Sequence, residues 1–150
     1  MFGFHLLHIP KNLKIDPKKI EKILDYIEKT VPEKGNGILN IAFLHDDEIQ
    51  HLNKAYRKID APTDVLSFHY FDDFSTIKDD ETAGECIFSW GKIQSQAKKF
   101  SHSEAEEFYI LFIHSVLHIL GYDHENDREF RAMWKYEKLI REKFGFSVER

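Results

Sequence analysis

The chain has one cysteine in 150 residues. Cys86 therefore has no partner within it, and a disulfide framework is excluded. A lone cysteine inside an apolar run reads as a small core residue, and the lack of disulfides suits a reducing compartment. No apolar run approaches the roughly 20 residues that span a bilayer. Met1–Pro10 lacks the basic flank and long apolar stretch of a secretory signal. The expectation is a cytoplasmic protein without a membrane partner. Positive charge is not in excess either: 21 Lys and Arg against 26 Asp and Glu leave a net charge of −5. Nothing in that balance points to a whole-surface attraction to nucleic acid, and no DNA partner is expected. A polyanionic substrate would need a local cluster of positive groups. There is no internal repeat and no low-complexity tract.

What is present is enough to bury a core without staples: 42% apolar residues, with 13 Phe, 6 Tyr and 2 Trp. The length suits a single domain over residues 1–150. Phe4–Ile9 is predicted as a first strand. Asp16-Pro17 opens a helix, with Asp16 as N-cap and Ile20, Ile23, Leu24 and Ile27 on one face. Pro32 and Gly35-Asn36-Gly37 break it, and Ile38–Leu44 is a strand. Asp46 or Asp47 is predicted to cap a helix to about Tyr56, with Ile49, Leu52 and Tyr56 on one side. Lys58–Thr63 is a loop, Val65–Phe68 a short strand, Asp72–Ala83 a solvated acidic loop, and Glu85–Trp90 another strand. Ile93–Phe100 is a short helix with Ile93, Ala97 and Phe100 inward. Ser103-Glu104-Ala105-Glu106 has the capping-box pattern and starts a helix to Leu120, which Gly121 ends. From Phe108 that helix is apolar nearly all round, so it belongs at the centre. A last helix spans about Asp127–Phe144, with Phe130, Met133, Trp134 and Ile140 inward. The fold class is α+β: a small mixed sheet of about four strands against about five helices.

Nine histidines is a high count, and three of them share a pattern. His114 and His118 are four apart on the central helix, about 1.1 turns, so both rings leave one face. Gly121 permits a left-handed turn that folds the chain back, and His124 follows just beyond it. Two histidines four apart on an apolar helix are often just core residues. The glycine and the third histidine at these offsets favour a metal site instead. Peptidases of the H-E-x-x-H-x-x-G-x-x-H type use the same ligand spacing. Three nitrogen ligands leave a fourth position open, as in catalytic zinc sites, and a bound water there ionises near neutral pH. Other divalent transition metals also accept imidazole. Protonation of the rings predicts weaker metal binding below about pH 6. His5, His8, His45, His51, His69 and His102 share no spacing and read as surface or core positions. Residue 115 is Ser, where those peptidases carry the general base Glu. Glu85, Asp123 and Glu125 remain open as an alternative base.

A second cluster is Asn53-Lys54-Ala55-Tyr56-Arg57, then Thr63-Asp64-Val65-Leu66-Ser67-Phe68. It can be an ordinary helix end, with Arg57 complementing the dipole. It can equally hold the Arg57 guanidinium over a pocket for a phosphate. These two segments, followed by His114–His124, resemble the bacterial YbeY family over roughly Ile38–Glu137. The likeness extends to Asp46-Asp47-Glu48-Ile49, to Glu85–Ser89 and to Met133–Glu137. Ser115, in place of a glycine, and Glu85, in place of an aspartate, depart from the family pattern.

The resemblance implies a single-strand-specific, metal-dependent endoribonuclease of ribosomal RNA maturation, acting at the 3′ end of 16S rRNA and in ribosome quality control. It implies zinc on His114, His118 and His124, with Arg57 and His114 catalytic. Single-stranded RNA or rRNA is the implied partner, with the ribosome or its proteins. Lys54, Lys58, Thr63 and Ser67 are candidate substrate contacts, and Lys92, Lys98 and Lys99 a candidate basic rim. The alternative reading is a zinc metallopeptidase or other metallohydrolase with an unidentified base.

Overall fold

The structure, a computed structural model, describes all residues 1–150. The chain runs β1 (Gly3–Leu7), α1 (Pro17–Thr30), β2 (Ile38–Leu44), α2 (Asp46–Arg57), β3 (Val65–His69), β4 (Thr82–Ser89), α3 (Trp90–Lys99), α4 (Glu104–Ile119) and α5 (Asp127–Lys143). Four strands and five helices in an α+β arrangement agree with the reading from sequence. The sheet order is β1-β2-β4-β3. β1, β2 and β4 are parallel, and β3 closes one edge antiparallel to β4. Parallel neighbours need a crossover, and α1 supplies it between β1 and β2. No helix is long and apolar enough to cross a membrane.

Local chemistry explains the helix starts. Asp16 accepts the Lys18 N–H at 2.9 Å and Pro17 takes the first helical position. Ser103 accepts from Glu106 N–H at 3.0 Å to start α4, and Asn126 accepts from Glu129 N–H at 2.9 Å to start α5. Strand β2 alternates, burying Leu39, Ile41 and Phe43 on one face. Against that face lies α4, eleven of whose sixteen residues are buried. Phe43, Phe88, Phe108 and Phe112 meet there with ring centroids 5.0 to 5.9 Å apart. Each such side chain contributes about 1.5–3 kcal/mol when fully buried, so α4 is the best-anchored platform in the molecule.

Several boundaries differ from the sequence reading. β1 ends at Leu7, because His8 turns into the left-handed region at φ 57°. The N-cap of α2 is His45, not Asp46 or Asp47, and its backbone N–H donates to Glu48 at 3.2 Å. Asp46 instead accepts the Ser89 hydroxyl at the start of α3. β4 begins at Thr82, which pairs with Ile38, and it stops at Ser89, whose hydroxyl accepts from Lys92 N–H and starts α3 at Trp90. The Asp72–Ala83 segment is not solvated throughout. Phe74 and Ile77 are buried in it, Phe74 edge-on to Phe2 at 5.3 Å. Tyr56 and Phe130 face outward rather than inward, at 66% and 54% exposure.

Gly84 is required where β4 pairs with the end of β3, since a Cβ there would stand 2.3 Å from the Phe68 carbonyl oxygen.

Candidate metal centre

The site begins at the C-terminal end of α4. Gly121 adopts φ 108°, as its left-handed role requires. Its N–H bonds the His118 carbonyl and the Tyr122 N–H bonds the Leu117 carbonyl, both at 3.0 Å. This is a Schellman closure, and it turns the chain back on the helix it leaves. His124 thereby returns to the face that carries His114 and His118.

The three rings converge. Their centroids are 4.5 Å (His114–His118), 5.1 Å (His118–His124) and 5.8 Å (His114–His124) apart. One nitrogen from each lies within 4.8 Å of the others. The Nε2 atoms of His114 and His118 are 3.0 Å apart. Two nitrogens bound to one tetrahedral ion at about 2.0–2.1 Å stand roughly 3.3 Å from each other, so the spacing fits a shared cation.

Glu137 of α5 fixes the chemistry of the first ring. Its Oε1 stands 2.5 Å from His114 Nδ1. A neutral His114 donating there leaves the Nε2 lone pair facing His118 and His124, the carboxylate–histidine arrangement that supports metal ligands. Burial works to raise the Glu137 carboxyl, but the hydrogen bond from His114 and the charge of Arg141 outweigh it, so it sits below the ordinary carboxylate value. Arg141 donates to the other oxygen at 3.1 Å. His118 is pushed down to about 4, first by burial and then by His114 and His124. A ring held neutral in this way keeps its lone pair for a metal.

Around the rings lies a cavity of about 430 Å³. Arg57, Thr63, Asp64, Ser67, His69 and Asp123 line it together with the three histidines. Arg57 is placed by the end of α2, where Lys58 takes φ 62° and Asn53 Nδ2 holds the following loop by the Ala61 carbonyl at 2.9 Å. The Arg57 guanidinium donates to the Ser67 carbonyl at 2.7 Å and lies over the Phe68 ring, but no carboxylate pairs with it. Its charge is free to meet an anion.

Thr63 and Ser67 reach the cavity, and the lysine candidates lie outside it. Lys54 pairs with Asp60 at 3.7 Å outside the cavity, and Lys58, Lys92, Lys98 and Lys99 do not line it. The Ser67 hydroxyl is engaged with Ser115 Oγ at 2.7 Å. Ser115 is fully buried against β3, so the position of the peptidase general base is turned away from the cavity. Of the three alternative bases, Asp123 lines the cavity, whereas Glu85 is bound by Tyr70 and Glu125 lies outside. His69, which reads from the sequence as a surface or core position, lines the cavity, as does Asp64 of the second cluster; the Glu137–Arg141 support has no distinctive signal in the sequence. Glu137 and Arg141 are four apart on a helix, an ion-pair spacing too common to single out.

An α+β domain that presents three converging imidazoles and a free arginine in one cavity has the form of a metallohydrolase. The family description "Endoribonuclease YbeY" matches residues 10–145. The chain belongs to the YbeY family. It is 37% identical over 141 residues to the endoribonuclease YbeY of Carboxydothermus hydrogenoformans, covering 93% of this chain and 96% of that one. It is 46% identical over 121 residues to that of Aliarcobacter butzleri, covering 81% of each. The solution structure of TM1509 from Thermotoga maritima superposes with a TM-score of 0.56 at 27% identity, over 96% of this chain and 91% of that one.

Proposed function

We propose that the chain is a metal-dependent endoribonuclease that hydrolyses phosphodiester bonds of single-stranded RNA in ribosomal RNA processing, working as one domain in the cytoplasm. The observation that carries this is the pairing of the three-histidine cluster with Arg57 in a single cavity, in a member of this family. His114, His118 and His124 are the residues that would hold the ion, and zinc suits an all-imidazole set. Bound there, such an ion would supply Lewis acidity toward a phosphoryl oxygen and would lower the pKa of a coordinated water.

The protein's own groups do the rest. Arg57 meets the charge that builds on the non-bridging phosphoryl oxygens; the two carboxylates of the cavity, Asp64 and Asp123, accept from the Val65 and His124 N–H groups and form no ion pair with it. Glu137 keeps His114 in the tautomer whose Nε2 faces the cavity. Thr63 and the β3 backbone position the strand of RNA, with Lys54 and Lys58 as outlying contacts to its phosphates. Ser115, buried and bonded to Ser67, leaves no glutamate where peptide hydrolysis would use one, which favours the phosphodiester over the peptide bond. The finer reading is action at the 3′ end of 16S rRNA, on or near the ribosome and in its quality control.

Purified protein is incubated with single-stranded RNA and with casein, with and without chelator. Chelator-sensitive cleavage of RNA alone is expected. Casein cleavage without RNA cleavage would overturn the reading. His114→Ala is expected to lose both bound metal and cleavage. Arg57→Ala is expected to keep the metal and lose about 10²–10³-fold in kcat. A metal-free His114→Ala protein that still cuts RNA would remove the site from the mechanism.

A further inference from the structure

On the α5 side of the histidines a second cavity opens, of about 340 Å³, and it shares His114 and His124 with the first. Its other wall is one face of α5 with the C-terminal segment. Phe130, Met133, Trp134 and Val148 line it. Phe130 stands 54% exposed, one helical turn before the half-buried Trp134, so two aromatic rings border the same space. The Arg141 guanidinium lies 5.2 Å from the Trp134 ring centroid and stiffens that wall.

Charge separates the two cavities. Both arginines of the α5 side are already neutralised, Arg141 by Glu137 at 3.1 Å and Arg150 by Glu107. Arg57, across the histidines, has no carboxylate partner. The Arg57 side is therefore suited to an anion, and the α5 side to a flat, uncharged group directly beside it. A nucleotide carries both in that relation.

We propose that the α5 cavity is a base-binding subsite, in which the nucleobase next to the scissile phosphate packs on Phe130 and Trp134. The proposal rests on the endoribonuclease reading and extends it. Every base offers a π-face, so a subsite built on stacking accepts any of the four. It gives grip on an unpaired base and none on one held in a duplex, whose faces are covered by its neighbours. This accounts for a single-strand preference without a base-reading hydrogen bond.

The test uses the full-length, zinc-loaded protein and an RNA 12-mer with a mapped cleavage site. In a parallel series one nucleotide at a time, on either side of that site, is made abasic. One abasic position beside the scissile bond is expected to lower kcat/KM roughly tenfold for the wild type, the effect of losing one stacked base. Phe130→Ala and Trp134→Ala should lower cleavage of the intact RNA to a similar degree, and the abasic substitution should then add less than twofold. The exposure of Phe130 makes its removal compatible with folding, and thermal melting checks this. Fluorescence anisotropy of the same labelled RNAs on metal-free protein should reproduce the pattern in Kd.

An abasic penalty that persists unchanged in both variants, or that is absent from the wild type while intact RNA is cut, overturns the subsite and leaves the endoribonuclease reading standing. A wild type that cuts no RNA overturns both.

Discussion

Two carboxylates are buried among the helices, Glu107 on α4 and Glu137 on α5, and similar partners hold them to different ends. Glu107 is fully buried and is met by Arg150, by His102 Nε2 at 2.6 Å and by Gln96 Nε2 at 2.8 Å. All three partners are structural: they tie the C-terminal segment and the α3–α4 turn to the central helix. Glu137 is met by Arg141 and by His114, and the second of these is a ring of the candidate metal centre. Both carboxyls lie below the ordinary value of 4.5, because their donors outweigh the burial that works to raise them. A buried ion pair is thus no sign of function by itself. What distinguishes the two is whether a partner is one of the three converging imidazoles, as His114 is for Glu137.

Breaking each cluster in turn separates these uses. The largest effect is expected at Glu107. Its replacement by Ala removes the acceptor for three donors and costs about 3–5 kcal/mol of stability, measured by denaturant unfolding, with zinc affinity unchanged once the protein is folded. Glu137→Gln should do the reverse, lowering zinc affinity about 10–100-fold in a competition titration, with a smaller loss of stability. If Glu107 variants lose zinc and Glu137 variants keep it, the division drawn between the clusters is wrong.

The smallest effect is in the pH dependence of the metal-free protein. His118 falls from 6.5 to about 4 on folding, so between those values the unfolded chain holds a proton that the folded chain lacks. Stability therefore falls as pH drops through that window. The two glutamates act in the same direction below 4.5, where their folded carboxyls resist the proton that the unfolded ones take up. Melting temperatures of metal-free wild type and His118→Gln, taken from pH 7 to 5, should diverge as the pH falls, the wild type losing more. Parallel curves would show that His118 is not the group responsible.

The metal triad was legible because it is nearly local. Helical pitch places His114 over His118, and one glycine with φ 108° brings back a residue three further on. The N-caps Asp16, Ser103 and Asn126 are local too, although only the first two carry a pattern, Asp-Pro and the capping box, that marks them in the sequence. The start of β4 was not legible, since Thr82 and Ala83 become strand only by pairing with β2 and with the chain beyond β3. Phe130 misled for a related reason. Its helical spacing matches Met133 and Ile140, but the docking of α5 leaves it at a cavity mouth rather than in the core.

By itself the sequence determined the order of the elements, the apolar platform of α4 and the spacing of three histidines, because these follow from backbone pitch and turn chemistry over about ten residues. Only the tertiary structure decided that Glu137 orients His114, that Arg57 faces the same cavity without a counter-ion, and that Ser115 is turned toward Ser67. Those relations join residues 23, 57 and 48 positions apart in the chain. No local periodicity encodes such separations; the packing of α5 and β3 against α4 does.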